Sequence, residues 1–145
     1  MAAPTAADLK NLSLPAATFT GIDDSVIDAA IAVEWEQAKS ALSARYDDAA
    51  VEGCGDAALA GAVCDRAAYR LLKRVGFNAE NAADKAAKEA ADEAAAWLAD
   101  VAGGRRHLAN ATSAPATLAS SDDGSPGRGF DSWLSPAGSH SCRRW

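Results

Sequence analysis

The sequence has few large apolar side chains. Leu, Ile, Val and Phe together number 23 of its 145 residues, whereas 38 are Ala. An alanine methyl group gains far less free energy on burial than a Leu or Phe side chain, so the core that this chain can build is thin. Such a composition is typical of chains that are disordered or that depend on partners. Because Ala has the highest helix propensity of all residues, we expect a strongly helical protein.

Other absences exclude further classes of protein. No run of about 18 or more apolar residues is present, which argues against a membrane-spanning helix. The N-terminal residues lack the basic and apolar stretches of a secretory signal, so we expect no secretion. The three cysteines have no close spacing and form an odd set, which favours reduced thiols over a disulfide framework. The net charge of −6 argues against a nucleic-acid-binding domain, since such domains are usually basic.

The sequence also lacks a catalytic or cofactor-binding constellation. There is no Gly-rich phosphate loop, and the two histidines, His107 and His140, both lie near the C-terminus. Cys54, Cys64 and Cys142 could be combined with His140 into a metal site, but none of the usual ligand spacings supports it. We therefore expect no enzymatic activity, no cofactor and no bound metal.

The sequence of residues 1–104 predicts a small, all-α four-helix bundle. Thr5 and Asp8 have the form of a capping box at the start of a first short helix, which must end before Pro15. Capping residues and glycines delimit three longer helices. The first is capped by Asp23 and spans roughly residues 24–46, the second is capped by Asp56 and extends to about Val75, and the third is capped by Asn78 and spans roughly residues 79–102.

Each long helix has an apolar stripe with a spacing of three and four residues. In the first long helix the stripe is Ile27, Ile31, Trp35, Ala38, Leu42 and Tyr46, and in the second it is Leu59, Val63, Ala67 and Leu71, widened by Cys64, Ala68, Leu72 and Val75. In the last helix the stripe is Ala86, Ala90, Ala94, Trp97 and Val101, beside Leu98. Most of that last stripe is methyl groups, so we expect the helix to approach its neighbour closely.

Residues 105–145 differ in composition from the helical part of the sequence, and we predict that they form a flexible or extended C-terminal arm. The segment 119–127 has the composition of a flexible linker. Beyond it come four apolar or aromatic residues and three arginines: Arg128, Phe130, Trp133, Leu134, Arg143, Arg144 and Trp145. A disordered end with incidental aromatics is one interpretation. We favour the other, in which these side chains anchor the arm on a partner.

Three arginines, Arg66, Arg70 and Arg74, share one face of the predicted helix that begins after Asp56. They can pair with acidic residues of the neighbouring helices in the same chain. Alternatively, they can form salt bridges with an acidic face of a neighbouring subunit. The sequence leaves both interpretations open.

The order of several short motifs resembles a known family. The motifs are Ala-Asp-Leu at 7–9, Leu-Ser-Ala-Arg-Tyr at 42–46, Cys-Asp-Arg-Ala-Ala-Tyr-Arg-Leu-Leu at 64–72, and Trp-Leu-Ala-Asp-Val-Ala-Gly-Gly at 97–104. Together they resemble the head-tail connector proteins (adaptors, or head-completion proteins) of tailed bacteriophages, especially the Mu-like Gp36 group. The resemblance covers roughly residues 5–108. Residues 47–51 depart from it, because relatives often have a Pro/Leu-rich stretch there.

The resemblance implies a structural virion protein of the neck, assembled in the host cytoplasm. Such proteins form a homo-oligomeric ring, commonly a dodecamer, that docks beneath the portal protein, extends the DNA channel and meets a stopper or tail-terminator protein. Their C-terminal segments often reach the portal or neighbouring subunits, so the seven arm residues from Arg128 to Trp145 named above become candidates for that interface. An acidic ring would repel the passing DNA rather than bind it, and no membrane is involved.

An alternative function is that of a small helical DNA-binding or packaging factor, similar to a terminase small subunit. That function requires a helix-turn-helix with a basic recognition helix. Only the helix with the three arginines is basic, and its apolar face is needed for packing.

Overall fold

Every regular element in the described part of the chain, residues 3–13 and 16–112 of a computed structural model, is helical. The elements are α1 (Ala6–Leu12), a 3-10 helix (Ala16–Phe19), α2 (Asp24–Leu42), α3 (Asp48–Gly53), α4 (Ala57–Val75) and α5 (Ala82–Ala102). The prediction of an all-α fold is confirmed. Helices α1, α2, α4 and α5 correspond to the four predicted helices, and α3 is an additional short one.

The capping box at the start of α1 is formed as predicted. The Thr5 hydroxyl accepts a hydrogen bond from the Asp8 backbone N–H, and the Asp8 carboxylate accepts one from the Thr5 backbone N–H at 2.8 Å. These hydrogen bonds to Thr5 lower the pKa of Asp8. The backbone N–H of Ala6 donates to Asp28 of α2 at 2.7 Å, and Leu9 is fully buried. The first helix is therefore fastened to the body at its N-terminus.

The centre of the core lies between α2 and α4. All six stripe residues predicted from Ile27 to Tyr46 are buried, as are the stripe residues of α4 from Leu59 to Leu72. Val75 is an exception, since 67% of it is exposed at the end of α4. Helix α2 ends at Leu42 rather than near residue 46, because the N–H groups of Ser43 and Arg45 donate to carbonyls three residues back instead of four, and the chain turns there.

Helix α5 starts later than predicted and presents a different alanine stripe. Its N-cap is Asn81, whose side chain accepts from the Ala83 N–H at 3.0 Å, and not Asn78. Asn78 instead forms a turn in which its N–H donates to the buried Asp84 at 2.7 Å. The buried positions of the helix are Asp84, Ala87, Ala91, Ala94, Leu98 and Val101, whereas the predicted Ala86 is exposed and Ala90 and Trp97 are half-buried. The predicted register was therefore wrong at Ala86 and Ala90. Because alanines occur on several faces of this helix, the sequence pattern does not show which of them are buried.

After α5 the chain turns back onto the body. Gly104 has φ +79°, a left-handed conformation that favours glycine, and the end of the flexible Arg45 side chain occupies the space that a Cβ would take. Leu108, which the sequence assigned to the arm, is 4% exposed and belongs to the core. Its N–H donates to the Tyr46 hydroxyl at 3.3 Å, and the Ala109 N–H donates to Asp56 at 2.7 Å. The segment after α5 is thus attached to the helical body through the buried Leu108 and the backbone of Leu108 and Ala109.

Candidate interaction surfaces

A cluster of one acid and two arginines joins α2 to α4. Glu34 is only 4% exposed, although it carries a charge and lies off the apolar stripe of α2. Arg66 Nε donates to Glu34 Oε2 at 2.8 Å, and Arg70 Nε donates to Glu34 Oε1 at 2.6 Å. Arg66 also donates to the Gln37 side chain at 2.9 Å. The two guanidinium groups compensate the carboxylate for the water it loses on burial.

The three arginines singled out from the sequence therefore differ. Arg66 and Arg70 pair within the chain, as in the first of the two interpretations that the sequence left open. Arg74 is exposed and has no ion pair among the described residues. Salt bridges from this helix face to another subunit stay a prediction, and Arg74 is the arginine best placed to form one.

Exposed valines surround Arg74. Val26 and Val33 of α2 are 36% and 44% exposed, and Val75 is exposed at the end of α4. Arg74 borders two shallow depressions, one shared with Val33 and the other with Val26 and Val75. We call the surface formed by Val26, Ala29, Val33, Arg74 and Val75 the valine–arginine surface. It combines branched apolar side chains with an unpaired positive charge.

A groove of about 510 Å³ runs between α4 and α5, and we call it the α4–α5 groove. Its floor consists of small residues, namely Ala58, Gly61, Ala62, Ala90, Ala94 and Ala96, beside Trp97. Its charged residues are Asp65, Glu93, Asp100 and Arg106. Arg105 and Arg106 pair with Asp100, at 2.5 and 3.7 Å, whereas Asp65 and Glu93 have no ion pair in residues 3–13 and 16–112. The groove is therefore lined by methyl groups and carries two uncompensated carboxylates.

The described cysteines are buried and free. Cys54 Sγ donates to the Val51 carbonyl at 3.0 Å. Burial, followed by the charges of Asp8 and Asp65, raises the pKa of the Cys64 thiol to about 12, so it stays protonated at neutral pH. Within the described ranges, no three His, Cys, Asp or Glu side chains are grouped as metal ligands. None of the helices there is both long and apolar enough to cross a bilayer.

Comparison with known proteins identifies the family. The family model described as "Bacteriophage Mu, Gp36" matches residues 2–124, which is most of the chain. The chain belongs to the bacteriophage Mu Gp36 family. No curated protein and no solved structure matches it. The match to the Gp36 family covers all five helices and the packed segment that follows them.

The predicted arm residues of this Gp36-family protein lie outside the described part of the chain. Arg128, Phe130, Trp133, Leu134, Arg143, Arg144 and Trp145 also follow the last residue matched by the Gp36 model. His140 and Cys142, two members of the metal-ligand combination that the sequence spacing did not support, lie there too. The sequence did not predict the valine–arginine surface or the α4–α5 groove. The signal for the first was the presence of Val26 and Val33 off the apolar stripe of α2.

Proposed function

We propose that this protein is a structural component of the phage virion that forms an adaptor ring between the portal protein and the stopper or tail-terminator protein. The observation that carries the proposal is the Gp36-family match over residues 2–124. The short motifs that resemble head-tail connector proteins lie within that match. In the neck of the virion, such a ring would extend the channel through which the DNA passes.

The presence of two separate candidate contact surfaces on the body supports a role in assembly rather than in catalysis. The valine–arginine surface and the α4–α5 groove are separate sites, because no residue lines both. A closed ring requires two different contact surfaces on each subunit, and this body offers two. We propose accordingly that the protein is not an enzyme and that its function consists of the contacts it makes.

The C-terminal arm supplies the proposed contact with the portal. Between residues 128 and 145 the sequence places Phe130, Trp133 and Trp145 near three arginines. Aromatic side chains with arginine neighbours are the residues that most often dominate protein–protein binding energy. We propose that these residues anchor each subunit on the portal or on the next subunit.

The DNA would pass through the ring without specific binding. The chain has a net charge of −6, and Arg66 and Arg70 on the most basic helix are occupied by Glu34. A wall of this charge repels the phosphate backbone. Binding to duplex DNA that weakens steeply with added salt would instead support the alternative, a small packaging factor similar to a terminase small subunit.

The test is to mix the full-length protein with the portal protein of the same phage and to image the product by electron microscopy. We expect a closed ring coaxial with the portal, commonly of twelve subunits. Trp133→Ala should weaken attachment to the portal without changing the far-UV circular dichroism spectrum. The neighbouring Ser132→Ala is the matched control and should attach normally. A monomer or dimer that does not bind the portal would refute the proposed function.

A further inference from the structure

The exposed apolar side chains of the body are concentrated around one cation. In the described residues, four large apolar side chains are exposed: Leu12, Val26, Val33 and Val75. Three of the four belong to the valine–arginine surface. In a chain so poor in large apolar residues, leaving these three outside the core reduces its stability. An exposed apolar patch with a charged rim is typical of an interaction site.

The α4–α5 groove has the complementary properties. The valine–arginine surface presents branched side chains, and the groove presents Gly61 and alanines that leave space for them. The surface presents the unpaired Arg74, and the groove presents Asp65 and Glu93, which also lack ion pairs in the described part. Opposite charges that meet in a partly desolvated contact fix its register and exclude wrong pairings.

The charges also determine the symmetry of the contact. Two valine–arginine surfaces placed against each other would bring two copies of Arg74 together, and Lys73 next to it would add to the repulsion. Two grooves placed against each other would oppose carboxylates. A contact between unlike surfaces instead pairs Arg74 with Asp65 and Glu93, the groove carboxylates that have no ion pair in the described part of the chain. Such a head-to-tail contact repeats from copy to copy, and it closes into a ring when the rotation between copies permits.

We propose that the partner of the valine–arginine surface is the α4–α5 groove of a second copy of this chain. In this contact Val33 packs on the small residues of the groove, and Arg74 pairs with Glu93 and Asp65. The inference rests on the proposed ring function, and it specifies which surfaces form the ring. It does not involve the arm, which remains available for the portal.

Charge reversal in the full-length protein tests this contact. Arg74→Glu and Glu93→Arg should each raise the protein concentration needed for assembly at least tenfold, measured by sedimentation velocity or by ring counts on the portal. In each single variant, positions 74 and 93 of neighbouring copies carry charges of the same sign and repel each other. The double variant should recover most of the lost assembly, because the reversed charges at positions 74 and 93 pair again, although the unchanged Asp65 then opposes the new charge at position 74. A one-to-one mixture of the two single variants should also assemble, since every contact in an alternating ring is then complementary.

The controls are Lys85→Glu and Glu80→Arg, which reverse exposed charges outside both surfaces. They should assemble like the wild type, and circular dichroism should show the same helicity for all variants. Normal assembly of the single variants, or no recovery in the double variant and the mixture, would overturn the contact while leaving the ring function standing. If the wild type forms no ring with or without the portal, the proposed function and this contact both fail.

Discussion

At the scale of single residues, Glu34 has the least expected environment. It is adjacent to Trp35 on α2, and its charge predicts an exposed position. The structure buries it against two arginines of α4. A buried carboxylate without partners would strongly destabilise the fold, so this arrangement depends on both guanidinium groups. It also explains why two of the three arginines on one helix face are not available to a partner.

Glu34→Gln should lower the free energy of unfolding by about 2 kcal/mol, because two charge-assisted hydrogen bonds become weaker and two arginines lose their counter-charge. Urea denaturation followed by circular dichroism measures the change. The matched control on the same helix is Glu36→Gln. The Glu36 side chain is 68% exposed, and its ion-pair partner among the described residues is Lys39 alone, so its loss should cost less than about 0.5 kcal/mol. Equal effects of the two variants would show that the Glu34 cluster contributes no more than a surface pair.

At the scale of elements, α5 is a helix whose contact with α4 depends on small side chains. Ala87, Ala91 and Ala94 are 4%, 6% and 6% exposed. Their methyl groups gain little on burial, but they let the helix axes approach closely. The larger apolar side chains of α5 lie at its C-terminal end, where Leu98 and Val101 are buried and Trp97 is half-buried against the core. The orientation of α5 is therefore set largely by which alanines can be enclosed.

Two adjacent substitutions test this orientation. Ala87→Leu should destabilise the protein by about 2 kcal/mol, because the added carbons have no space between α4 and α5. Ala86→Leu should change stability by less than about 0.5 kcal/mol, because that position is exposed. Thermal and urea unfolding of both variants gives the comparison. If Ala86→Leu were instead the more destabilising substitution, α5 would bury the face that the sequence pattern predicted, the one containing Ala86.

At the scale of the whole molecule, the body is closed by a segment that the sequence assigned to the arm. Residues 105–112 return to the start of α4, where Asp56 accepts hydrogen bonds from both Ala58 at the helix N-terminus and Ala109. Leu108 adds a large side chain to a core that has few of them. The division of the chain at residue 104 into body and arm stays a prediction, but the packed part extends at least to Leu108.

Leu108→Ala should therefore cost about 3 kcal/mol in unfolding free energy, the usual loss for a buried leucine replaced by alanine. Leu12→Ala is the matched control. Leu12 is 56% exposed, so its truncation should have a much smaller effect. Urea denaturation midpoints report both changes. If Leu108→Ala is as mild as the control, the segment after α5 does not contribute to the stability of the body.

The sequence by itself determined the helical class, the capping box at Thr5, the end of α4 at Gly76 and the core faces of α2 and α4. Local rules govern these features, because cap chemistry and a stripe of Ile, Leu and Trp depend only on near neighbours in the chain. The short α3 was missed because its six residues carry too few turns to show a periodic pattern.

Only the tertiary structure decided the burial of Glu34, the register of α5 and the packing of Leu108. Each depends on a partner distant in sequence: Glu34 on Arg66 and Arg70, the α5 alanines on α4, and Leu108 on Tyr46. Alanine has almost no preference among the faces of a helix, and a charge can be buried only where opposite charges or hydrogen-bond donors meet it. Those conditions arise when the helices pack together, and no local pattern records them.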